Sequence, residues 1–214
     1  DGDAGYGAAY ERAVASLREL GHEVVTIDFA PLHALAEQLY AGPWVAERHA
    51  VVEALLERDP EAIEPTVRAV IGAARGMTAT DAFRGLYALR AAQRDARAIW
   101  ERVDLLMTPS APGHPRHDEI DAAPVAANAR LGVYTNFVNL LGWCALALPA
   151  GFAGALPFGV TFVAPRGHDA ALARFGACWQ AHVDLPLGGT KRRLPSGATS
   201  EVGSEAWPAS EETL

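Results

Sequence analysis

Leu131-Gly132-Val133-Tyr134-Thr135-Asn136-Phe137-Val138-Asn139-Leu140-Leu141-Gly142-Trp143-Cys144-Ala145-Leu146-Ala147-Leu148-Pro149-Ala150-Gly151 leads, after a short turn, into Leu156-Pro157-Phe158-Gly159-Val160-Thr161-Phe162-Val163-Ala164-Pro165. No charged side chain occurs between Leu131 and Ala164, in a chain that is 21% charged. Such a run is either core or membrane. A spanning helix needs about 20 consecutive apolar residues, and here Asn136, Asn139, Pro149, Gly151 and Pro157 interrupt the run. Core is the better reading. The pattern predicts a helix over about Thr135–Leu141, a strand over Ala145–Leu148, a turn, and a second buried strand over Gly159–Val163.

The totals fit that reading. The chain has 214 residues, is 50% hydrophobic and carries a formal net charge of −8. That length supports one sizeable core, and one domain is the default. An acidic balance argues against nucleic acid, whose binding rests on cations neutralising phosphates. Neither a signal peptide nor a spanning helix is visible, which argues against a membrane. Cys144 and Cys178 lie in apolar or helical context, so buried, reduced thiols and a cytoplasmic location are expected. The chain begins at Asp1 rather than Met, which suggests a fragment or a processed chain. It holds a single lysine, Lys191, against 17 arginines.

Outside the opening stretch the pattern alternates helix and strand, the mark of an α/β layer. Residues 8–20 read as an amphipathic helix closed by Gly21. Val24–Phe29 reads as a strand. A second helix runs from about Leu32 to Ala41, Gly42-Pro43 breaks it, and a third, opened by Pro43, continues to about Arg58. Pro60–Arg75 reads as a further helix. Thr80 or Asp81 is placed to cap a long one through Arg102, whose Arg90, Arg94 and Arg97 form a solvated face. A buried strand over Val103–Thr108 empties into a loop holding His114 and His117. A polar segment, Asp118–Asp121, precedes a short helix near Val125–Leu131. The last helix spans about Ala170–Val183. Lys191–Leu214, rich in Ser, Gly, Pro, Thr and Glu, reads as a disordered tail or a linker to an absent C-terminal domain.

Two positions draw attention on pattern alone. On the third helix Trp44, Val52, Leu55 and Leu56 make the apolar stripe, and Arg48 projects from it. Tyr40, near the end of the second helix, leans toward the same junction. A covered guanidinium must be paired or must hold an anion. The pattern leaves open whether Arg48 pairs with a carboxylate, snorkels to water, or awaits a ligand.

An engine for covalent catalysis is harder to find. Outside the tail the only serines are Ser16 and Ser110. Ser16 falls mid-helix, and Ser110 lacks a Gly-x-Ser-x-Gly elbow. The one lysine lies at the start of the tail, so no Ser-Lys pair is expected within the domain. Phosphate-cradling glycine loops, HExxH and CxxC motifs are missing. His114 and His117 have a metal-like spacing without a completing set and read as solvated loop residues. No cofactor and no metal are expected.

Leu39-Tyr40-Ala41-Gly42-Pro43-Trp44-Val45-Ala46-Glu47-Arg48 resembles a segment of the allophanate hydrolases, in the amidase signature family. Val103–Pro112, Leu131–Gly151 and Leu156–Pro165 resemble others, in the family's order. Thr26–Pro31 and Leu185–Thr190 fit the same pattern, so the resemblance covers nearly all of residues 5–190. It implies an α/β fold, part of a mixed β-sheet covered by helices. It implies that residues 1–190 are the C-terminal half of an amidase domain. It also implies hydrolysis of allophanate to ammonia and carbon dioxide in urea degradation, by a Ser–cis-Ser–Lys triad carried in the N-terminal half.

That half is not in this sequence, so no catalytic residue is assigned and the chain alone is expected to be inactive. The resemblance places substrate binding on Tyr40 and Arg48, with Asn136 a further polar contributor. A planar carboxylate on the substrate suits bidentate guanidinium recognition. Implied partners are allophanate, the missing N-terminal half and, in the intact enzyme, a second copy in a homodimer. Gly142 and Ala155 depart from the pattern, which keeps another amidase-family substrate in play. A non-catalytic remnant that binds a partner chain is a third reading. A sheet cut in half would also leave an open edge and exposed apolar surface, so poor solubility or oligomers are expected.

Overall fold

The computed structural model describes residues 4–193. They fall into two compact units, one holding the sheet and the other built of helices.

The sheet unit comprises residues 1–27, 98–114 and 142–214 within the described range. It holds helix α1 (Ala4–Glu19), strands β1 (Leu106–Pro109), β2 (Cys144–Ala153) and β3 (Leu156–Ala164), and, at the end of the described chain, a long helix over Asp169–Val183. The strands pair in the order β1-β3-β2, antiparallel throughout among the described residues. Alternation along β3 sends Phe158, Val160, Phe162 and Ala164 to one face, where they pack with Leu148 against Tyr6, Ala9, Ala13 and Leu17 of α1. Leu172 and Trp179 of the C-terminal helix complete that core. Full burial of side chains this large stabilises by roughly 1.5–3 kcal/mol each. Trp179 also satisfies its one polar atom, with Nε1 donating to Pro149 O at 2.9 Å. The same face is locked by ring contacts of Phe162 with Phe175 and with Trp179, at centroid distances of 4.7 and 5.1 Å.

Strand β2 runs five residues beyond the predicted Leu148, through a register shift between Pro149 and Gly151. Strand β1 starts at Leu106 rather than at Val103. The outer strands are less open than expected. Tyr10 Oη donates to Met107 O of β1 at 2.8 Å, and Arg12 Nη2 donates to Phe152 O of β2 at 2.7 Å. Pro109 and Pro149 contribute no N–H to either strand. On the second face of the sheet Thr108, Thr161 and Val163 are buried, while Ala145 and Ala147 of β2 stay exposed. Gly21 (φ 88) ends α1 in the left-handed region, as its position after the helix predicts.

The predicted strand over Val24–Phe29 does not form. A strand is held by a ladder, and among the described residues none pairs with this segment. Val24 packs on the sheet core instead. At the other end Asp28 Oδ1 accepts a hydrogen bond from Ala30 N, and Phe29 has already turned to helical backbone (φ −88, ψ −12). The segment serves as the entry to the next helix.

The helical unit comprises residues 28–97 and 115–141. It contains α2 (Ala30–Ala41), α3 (Trp44–Arg58), α4 (Pro65–Gly72), α5 (Ala79–Ala96), α6 (His117–Ala122), α7 (Pro124–Leu131) and α8 (Asn136–Leu141). The single helix expected over Pro60–Arg75 is broken. Glu64 precedes Pro65 and is held extended in ψ (137°), as the residue before a proline must be, and its carboxylate then caps Val67 N at 2.9 Å. The cap of α5 is Thr78 rather than Thr80 or Asp81. Asp81 is the third helical residue and closes a reciprocal capping box with Thr78. That helix ends at Ala96, followed by a 3-10 turn to Ile99, short of the predicted Arg102. The polar segment Asp118–Asp121 is helical, as α6, with Glu119 Oε2 accepting from Arg116 N at 2.8 Å.

The last helix of the sheet unit, now α9 (Asp169–Val183), ends at Asp184 in the left-handed region (φ 43). Of the segment read as a tail, Lys191–Arg193 take part in a turn. There Arg192 O accepts from Leu187 N at 2.8 Å, and the Arg193 guanidinium pairs with the Asp184 carboxylate at 2.6 Å. Residues 194–214 lie outside the described residues.

Candidate functional site

The three residues singled out for substrate binding all fall in the helical unit. Tyr40 lies in the last turn of α2, Arg48 in the second turn of α3, and Asn136 opens α8. The helices that carry them pack together. Helix α2 makes its main contact with α8 and a further one with α3. The α2–α8 contact is anchored by Phe29, whose ring meets fully buried Phe137 edge-on at 5.7 Å and Tyr134 at 5.8 Å. The charge-free composition of Tyr134–Leu141 has this local cause: Phe137, Val138, Leu140 and Leu141 of α8 are all buried.

The corner between α2 and α3 is short. Gly42 ends α2 in extended backbone, its N–H donating to Gln38 O at 2.8 Å, and Pro43 sits at the N-cap of α3 with φ −71. Two residues therefore separate the helix carrying Tyr40 from the helix carrying Arg48. The inward stripe of α3 differs from the predicted one. Val45 and Leu56 are its buried members, and Trp44 is only half-buried. A stripe centred on Val45 leaves Arg48 at its margin, half-buried and taking part in an interaction of its own.

Asn136 is half-buried, and its N–H donates to Gly132 O at 2.8 Å. Its side chain folds back over Gly132. A Cβ on Gly132 would stand 2.5 Å from Asn136 Cγ and nearer still to both amide atoms. Gly132 has ordinary backbone (φ −93), so the bare Cα matters for space rather than for conformation. The C-terminal end of α8 is held separately: Gln93 Nε2 of α5 donates to Leu140 O at 2.9 Å. Sequence reading missed Gln93, Gly132 and Gly85. A glycine inside a helix, such as Gly85, costs about 1 kcal/mol against alanine and is itself a signal that something approaches closely.

The groups with nucleophilic potential lie in the sheet unit, and two of them, Ser110 and Cys144, are occupied. Ser110 Oγ is 2.9 Å from Thr161 Oγ1, a hydroxyl pair with no base in it. His114, four residues on, meets the Tyr6 hydroxyl at 3.5 Å, with the two rings tilted at 59° and 5.5 Å apart. Cys144 and Cys178 are free but half-buried rather than buried. Burial pushes the Cys144 thiol up, and its Sγ donates to Pro165 O at 3.1 Å, so it is held as a thiol and not as an attacking thiolate. Among the described residues no group of His, Cys, Asp and Glu could hold a metal ion. No helix there is long and apolar enough to cross a membrane.

The Amidase family profile matches residues 1–173. The chain belongs to the Amidase family. It is 40% identical over 166 residues to urea amidolyase of Lachancea kluyveri, covering 76% of this chain and 9% of that protein. Against a glutamyl-tRNA(Gln) amidotransferase subunit of Thermus thermophilus it is 40% identical over 104 residues, 46% of this chain and 22% of the relative. Among solved structures it superposes on Kluyveromyces lactis allophanate hydrolase with a TM-score of 0.84 at 34% identity. That match covers 91% of this chain and 33% of the hydrolase. The chain thus spans a third or less of these relatives.

Proposed function

We propose that this chain is the C-terminal half of an allophanate hydrolase amidase domain, in which it supplies the substrate grip and not the nucleophile. The observation that carries the proposal is the superposition on an allophanate hydrolase over 91% of the chain, with Tyr40, Arg48 and Asn136 carried on three packed helices of one unit. Arg48 binds the carboxylate of allophanate through its guanidinium fork, and Tyr40, eight residues before it, contributes from the other side of the α2–α3 corner. Asn136 is a further polar contributor to that grip. Attack on the amide carbon belongs to a Ser–Ser–Lys triad in the N-terminal half, with which this chain must assemble. The free thiols of Cys144 and Cys178 suit a reducing cytoplasm.

The exposed apolar side of α5, with Phe83 and Tyr87, and the exposed Ala145 and Ala147 of β2 are surfaces for the remainder of that domain to cover. Ammonia release from allophanate tests the proposal. The purified 214-residue chain is expected to release none. The complete amidase domain is expected to release it and to lose the activity on Arg48→Ala. Turnover by the isolated chain would sink the division of labour.

A second reading has its own support in the 40% identity to an amidotransferase over 104 residues and in Gly142, which looks more like general amidases. Under it the complete enzyme would prefer a simple amide over allophanate. Comparing kcat/KM for the two substrates separates the readings.

A further inference from the structure

Gly85 stands in the interior of α5, where glycine is unfavourable, and the corner between α2 and α3 is what it faces. A Cβ built on Gly85 would lie 2.7 Å from Pro43 Cδ and closer to Cγ, with Cβ of the ring at 3.6 Å. Pro43 is therefore seated directly on the bare backbone of α5. Its pyrrolidine ring is rigid and cannot swing aside as a long side chain would.

We infer that Gly85 is a positioning residue for substrate recognition: its bare Cα seats the Pro43 ring and so sets the α2–α3 corner that fixes the helix of Tyr40 against the helix of Arg48. The inference deepens the proposed function and rests on it.

The geometry decides which partner would yield if the seat were filled. Helix α5 is closed at its own start and tied to a neighbouring helix beyond Gly85. Its N-terminus is closed by the Thr78–Asp81 capping box, with Thr78 Oγ1 to Asp81 Oδ2 at 2.6 Å. Eight residues beyond Gly85, Gln93 Nε2 holds Leu140 O of α8 at 2.9 Å. The corner has only Gly42 and Pro43 between its two helices. A methyl group at position 85 would thus displace the corner by about an ångström to restore ordinary carbon–carbon spacing of about 3.5–4 Å. Bidentate binding of a carboxylate depends on the angle and the reach of the guanidinium, and a misplacement of that size costs about ten- to a hundredfold in rate. A neutral amide that makes no carboxylate contact would lose less.

The test is the ratio of kcat/KM for allophanate to kcat/KM for propionamide in the full-length enzyme that carries this segment. Gly85→Ala is expected to lower that ratio about tenfold. Adding Pro43→Ala removes the Cγ and Cδ atoms that collide, and the double variant is expected to return to within about threefold of wild type. Pro43→Ala alone folds without any clash and keeps the inference testable if Gly85→Ala does not fold. It loosens the seat and is expected to lower the ratio by about threefold. Equal losses on both substrates would overturn the inference, because that is what a merely structural glycine predicts. No rescue of Gly85→Ala by Pro43→Ala would overturn it as well, because the methyl group would then act through something other than the Pro43 seat. Arg48→Ala is the separate control. If it leaves the ratio unchanged, the substrate reading itself fails, whatever Gly85 does.

Discussion

The two units bury their sequences in different ways. The sheet unit closes a core in which Trp179, Phe162 and Val160 are fully inaccessible. The helical unit contains an 18-residue helix, α5, with no buried residue, and that helix leaves Phe83 and Tyr87 at 57% and 63% exposure. Both units leave apolar side chains exposed, Phe152 and Leu156 in the sheet unit among them, but among the described residues only the helical unit has a helix this long without a buried residue. The contrast sets the best-buried aromatic core apart from the residues proposed to bind substrate. In the sheet unit the Ser110 hydroxyl and the Cys144 thiol are both occupied. The helical unit holds every residue proposed to bind substrate.

The largest effect expected from this contrast is on stability. Trp179→Ala removes a fully buried indole and its hydrogen bond to Pro149 O, and should destabilise the chain by about 3–5 kcal/mol in chemical unfolding. Phe83→Ser together with Tyr87→Ser should change the same stability by less than about 1 kcal/mol while reducing self-association in size-exclusion chromatography. If both changes destabilise equally, the division between the units is wrong.

The next effect is on recognition. Arg48→Ala in the complete domain should reduce kcat/KM for allophanate about a hundredfold, equivalent to about 2.7 kcal/mol, through loss of a charge-assisted pair. Its unfolding free energy should change by far less than for Trp179→Ala. Gly132→Ala should act more mildly, by about three- to tenfold, since the displaced group is the end of one side chain, and its effect should vanish in an Asn136→Ala background.

The smallest effect is on pH dependence. The Asp81 carboxyl is held below its ordinary value, first by the hydroxyl of Thr78 and then by the Thr78 N–H. A folded value lower than the unfolded one gives stabilisation that is present above the ordinary carboxylate range and is lost as pH falls through the lowered value. Protection of the amides at the start of α5 against exchange, relative to the unprotected amide at the same pH, should therefore fall on acidification below that range. Asp81→Asn should flatten the response, and an unchanged profile would remove the capping box from the account.

Much of this could be read from residue order. Gly21 and Gly42-Pro43 mark helix limits through their local backbone preferences, whereas the limit at Pro65 was missed, and the run from Leu131 marks a helix and two strands because little in it favours water. The strand expected at Val24–Phe29 does not form because apolar alternation describes what a strand needs, not whether a neighbour exists to pair with it. Trp44 falls outside the inward stripe of α3 because the helix turns Val45 inward. The charge-free stretch itself proves divided. Its helix α8 belongs to the helical unit and its strands to the sheet unit, with Gly142 in left-handed backbone (φ 68) at the boundary.

By itself the sequence determined most of the elements, the charge-free core segments and the family likeness, all of which depend on local sterics and on burial preference. It also named Tyr40, Arg48 and Asn136 through that likeness. Only the tertiary structure decided which helices meet. It placed Phe29 between Tyr134 and Phe137, Pro43 on Gly85 and Gln93 on Leu140, pairs separated by between 42 and 108 positions along the chain. Such contacts arise from shape and from unsatisfied backbone groups that must find partners in three dimensions. A glycine records them only as a missing side chain, and the space it leaves becomes visible only when its neighbour is in place.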